Sequence, residues 1–285
     1  MALQSVSTSA FVLSLLLAAQ NAAERWTPEQ ISTDQYESSP TLSPDGREMF
    51  FFRADRQFDR YRLLSTRCID GRWSAPTEPA FAAAPGALET DPAFSADGRR
   101  LYFGSDRHQK DDLDIWKVER NADGQWGAPI RLPEPVNSQH SELLPRELAD
   151  GRLLFGSSRP GGSGGRDLYL ATPQSDGGWR VEPLPGGANT KGDEYEADIS
   201  RDGKVMVVVA NRGERSHLYR YERVDGAWRE TGQVPARQDV FQVGPLLSPD
   251  GKRLLFAQAD GENSGELFLV DLEPGADTAW PRACD

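Results

Sequence analysis

An Asp-Gly pair recurs at Asp45, Asp97, Asp150, Asp202 and Asp250, separated by 52, 53, 52 and 48 residues. The surrounding text returns with it, as "TLSPDGREMFFFRADR", "AFSADGRRLYFGSDR", "DISRDGKVMVVVANR" and "LLSPDGKRLLFAQAD". A phrase repeated at a fixed spacing of this size marks a repeated supersecondary unit, and such a unit hides its apolar face only by packing on its neighbours. Five units of this length fill residues 26 to 285 and leave no room for a second domain.

Within a unit, an alternating segment such as "DPAFS" or "EADIS" leads into a tight turn and then into a continuous apolar run such as "RLLF" or "VMVVV". This is the pattern of a β-hairpin whose second strand is buried on both faces. In Ser43-Pro44-Asp45-Gly46, Pro presets φ for a type I turn and Gly supplies the left-handed residue that closes it with a bulge. A third strand is expected at "DRYRL", "DIWKV", "DLYLA", "HLYRY" and "ELFLV", carrying Tyr61, Trp116, Tyr169, Tyr219 and Phe268. A fourth is marked by Trp73, Trp126, Trp179 and Trp228, a series that extends to Trp26 and Trp280. Four antiparallel strands per unit, with no helical periodicity between them, predict an all-β β-propeller of five four-stranded blades over residues 24–285. A six-bladed arrangement would need shorter repeats. One strand of the Trp series is surplus, so the segment Trp26 to Ile31, or the tail around Trp280, is expected to close the last blade and remove its free edge.

Residues 1–23 carry no charged side chain and contain the apolar run "AFVLSLLLAA" followed by small residues. This reads as a secretory signal cleaved near Ala22 or Ala23, and the run is about half the length needed to span a bilayer. The expected location is periplasmic or secreted, with no stable membrane insertion after cleavage. The formal net charge of −12 repels phosphate backbones and anionic membranes, which excludes nucleic acid as a partner. The two cysteines, Cys68 and Cys284, read as one disulfide in an oxidising compartment, with two unpaired thiols as the alternative.

The strings "SPDGKRLLF", "SADGRRLYFGSDR", "GSSRPGGSGGRDLYLA", "VNSQHSE" and "NTKGDE" resemble the TolB-type, WD40-like β-propeller repeats of bacterial envelope proteins, over essentially the whole chain after the signal. The resemblance implies an exported propeller. TolB itself carries an additional α/β domain before its propeller, and its family usually has six blades, so its docking function does not transfer residue by residue.

Eight residues before each Asp-Gly stand Glu37, Glu89, Glu142, Glu194 and, in the fifth unit, Gln242. About ten residues after it stand Arg56, Arg107, Arg159, Arg212 and, in the fifth, Asp260. The two positions lie side by side on an antiparallel hairpin, so each Glu is expected to meet an Arg, either as ion pairs fixing the blades or as a charged channel ring that binds a polar ligand. The unit with Gln242 and Asp260 is the odd one and the expected place of asymmetric binding. "GGSGG" at 161–165 matches G-x-S-x-G but lies in a glycine-rich loop between strands, where no nucleophile elbow forms. The cluster Asp106, Asp111, Asp112 and Asp114 lacks EF-hand spacing and reads as a solvated loop rather than a calcium site. The tryptophans, once per unit, read as packing rather than sugar platforms. With no nucleophile, base or cofactor loop, the expected function is a non-enzymatic envelope module that binds a protein or a small polar ligand. The alternative is a glycosidase or lactonase using carboxylates at the channel mouth.

Overall fold

The computed structural model describes residues 22–260 and 264–284, so the expected signal lies outside the described residues except for Ala22 and Ala23. Among the described residues there is no helix, and hence none long and apolar enough to cross a membrane. Strand β1 (Glu24–Arg25) precedes the first unit, which comprises β2 (Tyr36–Leu42), β3 (Glu48–Ala54), β4 (Tyr61–Ile69) and β5 (Arg72–Trp73). The second unit is β6 (Glu89–Phe94), β7 (Arg100–Gln109), β8 (Asp112–Glu119) and β9 (Ile130–Arg131). The third is β10 (Glu142–Glu147), β11 (Leu153–Ser157), β12 (Asp167–Pro173) and β13 (Trp179–Pro183). The fourth is β14 (Asp193–Ile199), β15 (Val205–Asn211), β16 (Ser216–Val224) and β17 (Ala227–Gln233). The chain ends with β18 (Gln242–Leu247), β19 (Arg253–Asp260) and β20 (Ser264–Asp271).

Within each unit consecutive strands pair antiparallel. The second, third and fourth units are separate four-stranded sheets. The first joins β18–β20 through one parallel bridge, Tyr36 to Gly265, and β1 pairs antiparallel with β20 as its outer neighbour. The closing strand is therefore Glu24–Arg25, just before the segment expected for that role. Trp26 follows it, its N–H donating to Leu267 O, and Trp280 lies in no strand.

The turns show why the phrase recurs. In the first, Gly46 N–H donates to Ser43 O (2.8 Å), Ser43 Oγ donates to Asp45 Oδ1 (2.6 Å), and Asp45 Oδ1 also accepts Arg47 N–H (3.0 Å). Gly46 has φ 71°, a conformation that glycine adopts without Cβ strain. Those hydrogen bonds, with the Ser hydroxyl as the larger cause, hold the Asp45 carboxyl below its ordinary pKa. Ser95, Ser200 and Ser248 repeat the arrangement with Asp97, Asp202 and Asp250.

Side chains of the second strands alternate between the two neighbouring units, as the strand period of two requires. Phe50 packs with Leu101 and Phe103, and Tyr102 with Leu153 and Phe155. Leu154 meets Met206 and Val208, Val207 meets Leu254 and Phe256, and Leu255 returns to Met49 and Phe51. Each apolar cluster thus lies between two successive units, and the last unit packs on the first. The innermost strands follow the same cycle, β2 on β6, β6 on β10, β10 on β14, β14 on β18 and β18 on β2. Trp73 and Trp228 are buried on outer strands, whereas Trp126 forms only an isolated bridge with Arg120 and the fourth strand of its unit is Ile130–Arg131.

Cys68, on β4, is bonded to Cys284 in the tail, closing a loop with a sequence separation of 216. Replacing Cys284 with Ser should lower the unfolding free energy by about 2–5 kcal/mol through the freed denatured chain. Phe103→Ala, at a fully buried ring between two units, should cost about 3–5 kcal/mol. Chemical denaturation of each variant against the parent checks both, and a loss below about 1 kcal/mol for Phe103→Ala would contradict the packing described.

Candidate functional site at the channel mouth

Every innermost strand is interrupted by a register shift directly after the repeated acidic position, for example between Ser38 and Thr41 and between Thr90 and Ala93. In four units the residue at the shift precedes proline and has positive φ: Ser39 47°, Asp91 53°, Leu144 39° and Gly244 63°. The fourth unit has Ala197 where the others have proline, and Glu196 at the matching position. The position two after the repeated Glu or Gln thus reads Ser39, Asp91, Leu144, Glu196 and Gly244.

These residues stitch one unit to the next. Asp91 Oδ1 accepts Ser39 Oγ–H (2.8 Å) from the first unit, and its Oδ2 accepts Leu144 N–H (3.2 Å) from the third. Glu196 Oε2 accepts Gly244 N–H (2.7 Å), and two residues on, Asp198 Oδ2 accepts Leu247 N–H (2.7 Å). Gly244 is required here, because a Cβ would sit 2.6 Å from the Ser39 nitrogen. Arg146, on β10, spans the axis: its two Nη atoms donate to Pro92 O (3.2 Å) and Pro245 O (3.0 Å), and its Nε lies 3.8 Å from Asp198 Oδ1.

On one side of this layer lies a cavity of about 280 Å³. Tyr36, Phe58, Tyr61 and Phe241 form an aromatic wall, while Asp91, Glu196 and Arg166 bring charge to it. The ring centroids of Tyr36 and Phe58 are 4.5 Å apart, and Phe241 lies 5.7 Å from Tyr36 and 6.0 Å from Phe58. Phe58 is 37% exposed and has φ 57°, an exposed aromatic held in a conformation that bulky residues rarely adopt. On the other side a recess of about 470 Å³ is walled largely by the Asp-Gly turns, with Arg146 and Asp198 in its lining. Those turns repeat for the structural reason given above, so the smaller cavity, whose residues break the repeat, is the better candidate.

Burial pushes the carboxyl groups of Asp91 and Glu196 above the ordinary range. Glu196 rises to about 8, with the Asp91 charge adding to the effect of burial. Neither carboxylate has an ion-pair partner within 4.0 Å among the described residues. Glu196 Oε1 takes no hydrogen bond among them either.

The repeated acidic positions do something else. Glu89 is bonded to Arg107, Glu142 Oε1 accepts Arg159 Nη2 (2.7 Å), and Glu194 Oε1 lies 3.7 Å from Arg212 Nε. In the first unit Glu37 pairs with Arg53 (2.7 Å), and Arg56 pairs instead with Asp34 (3.1 Å). Arg53 lies directly opposite Glu37 in the ladder, whereas Arg56 is three residues further on, one past the two-residue offset that Arg107 and Arg159 keep from the partners of their glutamates. Gln242 meets His217 Nδ1 (3.0 Å), and Asp260 reaches Arg25 (3.4 Å). The glutamates also fasten the preceding linker: Glu37 accepts Thr33 Oγ1–H, Glu142 accepts Ser138 Oγ–H and Glu194 accepts Thr190 Oγ1–H. Arg107, Arg159 and Arg212 lie over Trp116, Tyr169 and Tyr219, the repeated aromatics of the third strands. Of the ten residues, Glu37 alone is in the lining of the cavity.

The acidic cluster is not a solvated loop: Asp106, Asp112 and Asp114 are buried. Asp114 holds Arg131 with both oxygens (2.6 and 2.7 Å), and Asp106 accepts Leu88 N–H and Asp111 N–H, because the segment is the β7–β8 hairpin. Among the described residues no group of three His, Cys, Asp or Glu could hold a metal ion. Ser163 of "GGSGG" donates its backbone N–H to Asp167 Oδ1 in the β11–β12 loop, and no helix follows it.

No protein-family model matches the chain, and no curated protein sequence matches it. Solved structures do match in fold. TolB from Acinetobacter baumannii aligns at TM-score 0.51 and 18% identity over 85% of this chain, which spans 53% of that protein. A structure described as TolB from Agrobacterium tumefaciens gives TM-score 0.56 and 18% identity, covering 84% of this chain and 78% of that one. A family 117 glycoside hydrolase from the marine bacterium Zobellia galactanivorans gives TM-score 0.60 at 10% identity, covering 92% and 94%. The fold is that of a β-propeller of the TolB type. At these identities the likeness extends to the fold alone.

A carboxyl with a raised folded pKa favours the native state while protonated. That contribution is complete below the unfolded value of about 4.5 and is lost as pH rises through about 8. Glu196→Gln keeps an acceptor for Gly244 N–H and removes the titration. Thermal unfolding at pH 5 and pH 8.5 should therefore show a smaller fall in Tm for the variant than for the parent, and equal falls would place the raised titration elsewhere.

Proposed function

We propose that the protein is an exported, five-bladed β-propeller, closed by β1 on the last blade, that works without catalysis as a ligand-binding module of the cell envelope. The cyclic packing of the five units supports the blade count. The disulfide and the uncharged apolar leader support export. One observation carries the binding reading: at the axis, where the repeat breaks, an aromatic wall stands over two buried carboxyl groups without ion-pair partners among the described residues. A concave, mostly apolar site with a few convergent polar groups is what small-ligand recognition requires, and about 280 Å³ lies at the small end of such sites. Among the described residues the cavity lining contains no His or Cys, and its one serine is Ser38.

A hydrolase is the second reading. It is favoured by two carboxyl groups with raised pKa in one cavity and by the fold shared with a glycoside hydrolase. The two readings separate in a paired screen of the purified protein against small amines, sugars and lactones, followed by thermal shift and by product formation. A bound ligand at about a hundred times its Kd should raise Tm by roughly 5–10 °C with no turnover. Turnover abolished by Asp91→Asn or Glu196→Gln would make the protein an enzyme.

A further inference from the structure

We infer that the channel-mouth cavity takes a small primary ammonium ion with an aryl or alkyl body, its charged end on Glu196 and Asp91 and its apolar body against Tyr36, Phe58 and Phe241. This rests on the small-ligand reading above and names the chemical class.

The buried side-chain atoms left without a partner at the cavity are oxygens that can accept a hydrogen bond, whereas its one guanidinium, that of Arg166, belongs to an exposed residue. Glu196 Oε1 takes no hydrogen bond among the described residues. Glu37 Oε2 and Ser38 Oγ, in two further lining residues, are buried without a partner among them. A ligand rich in donors satisfies such atoms, and an ammonium group offers three N–H donors and no acceptor.

The charges facing Glu196 point the same way. They are Asp91 on β6, Arg146 on β10, and Arg166 before β12, with Glu37, Tyr36 and Tyr61 in the cavity lining and Tyr195, outside it, in the electrostatic field of Glu196. Arg146 is committed to Pro92 O and Pro245 O, and it lines the opposite recess rather than this cavity. Arg166 is exposed, with its guanidinium 5.6 Å from the Tyr195 ring. The two buried carboxyl groups therefore have no ion-pair partner among the described residues, and burial without one favours their neutral forms, whose ionisation an anionic ligand would oppose and a cationic one promote. A cation supplies the missing countercharge, and aromatic faces add to its hold where water is excluded. Because burial keeps Glu196 protonated at neutral pH, binding of the cation should release a proton from it to solvent.

The test is isothermal titration of the purified protein at pH 7.5 with 2-phenylethylammonium, its neutral counterpart 2-phenylethanol and the anion 3-phenylpropanoate. The ammonium ion should bind at least tenfold more tightly than the alcohol, and the anion should show no binding. The apparent enthalpy should vary with the ionisation enthalpy of the buffer in the sense of proton release. Glu196→Gln and Phe58→Ala, each confirmed folded by circular dichroism, should weaken the ammonium ion at least tenfold, and Glu196→Gln should abolish the buffer dependence. If the alcohol or the anion binds as tightly as the ammonium ion, the cationic class is wrong while the small-ligand reading stands. If none of the three binds and the wider screen is also empty, both are wrong.

Discussion

Apart from the single parallel bridge of β2 to β20, the innermost strand of each unit has a partner on one side only, and the centre of the molecule follows from what its other edge does with unpaired backbone N–H groups. Buried donors of this kind must find acceptors. Here they find side chains from the neighbouring unit: Leu144 N–H goes to Asp91, Gly244 N–H to Glu196, Leu247 N–H to Asp198 and Phe94 N–H to Thr41 Oγ1. The carboxylates that line the cavity are therefore first of all fasteners between sheets. Charging them is costly because they are buried, and their backbone donors offset only part of that cost.

Outside the axis the ring is held by a simpler rule. A second strand buried on both faces shows odd residues to one neighbour and even residues to the other, so each sheet is glued twice. Val207 and Val208 illustrate it, packing on the fifth and third units respectively. Such a ring has no natural end, and the chain supplies two closures: β1 completes the outer edge of β20, and Cys284 reaches back to the first unit. An exposed outer edge on β20 would otherwise be a template for pairing with another chain.

Repetition explains which features were legible in the sequence. The Asp-Gly turns, the doubly buried second strands and the paired Glu and Arg positions announce themselves because the same local demand is met in successive units. Glu37 shows where this fails: Arg56 stands three residues past the ladder partner of Glu37 where Arg107 and Arg212 stand two past theirs, and Arg53, directly opposite, takes the pairing. Trp126 fails differently, keeping its place in the text while the strand forms four residues later at Ile130. In the fifth unit, where Glu and Arg are both lost, Gln242 donates to Arg237 O and Val240 O and so fastens the preceding linker, as the glutamates of the other units do.

The cavity residues were hidden by the same logic. Ser39, Asp91, Leu144, Glu196 and Gly244 share one structural position but no chemistry, so a search for recurrence passes over them. Asymmetry is nonetheless what a set of similar units around an axis must acquire before it can orient one small molecule, since identical positions offer equivalent poses. Arg146 completes that asymmetry. It enters from one unit, bonds to carbonyls of two others and separates the acidic cavity from the recess behind it. With its guanidinium committed there, that positive charge serves the scaffold, and the cavity above keeps its two carboxyl groups, its aromatic wall and the exposed Arg166.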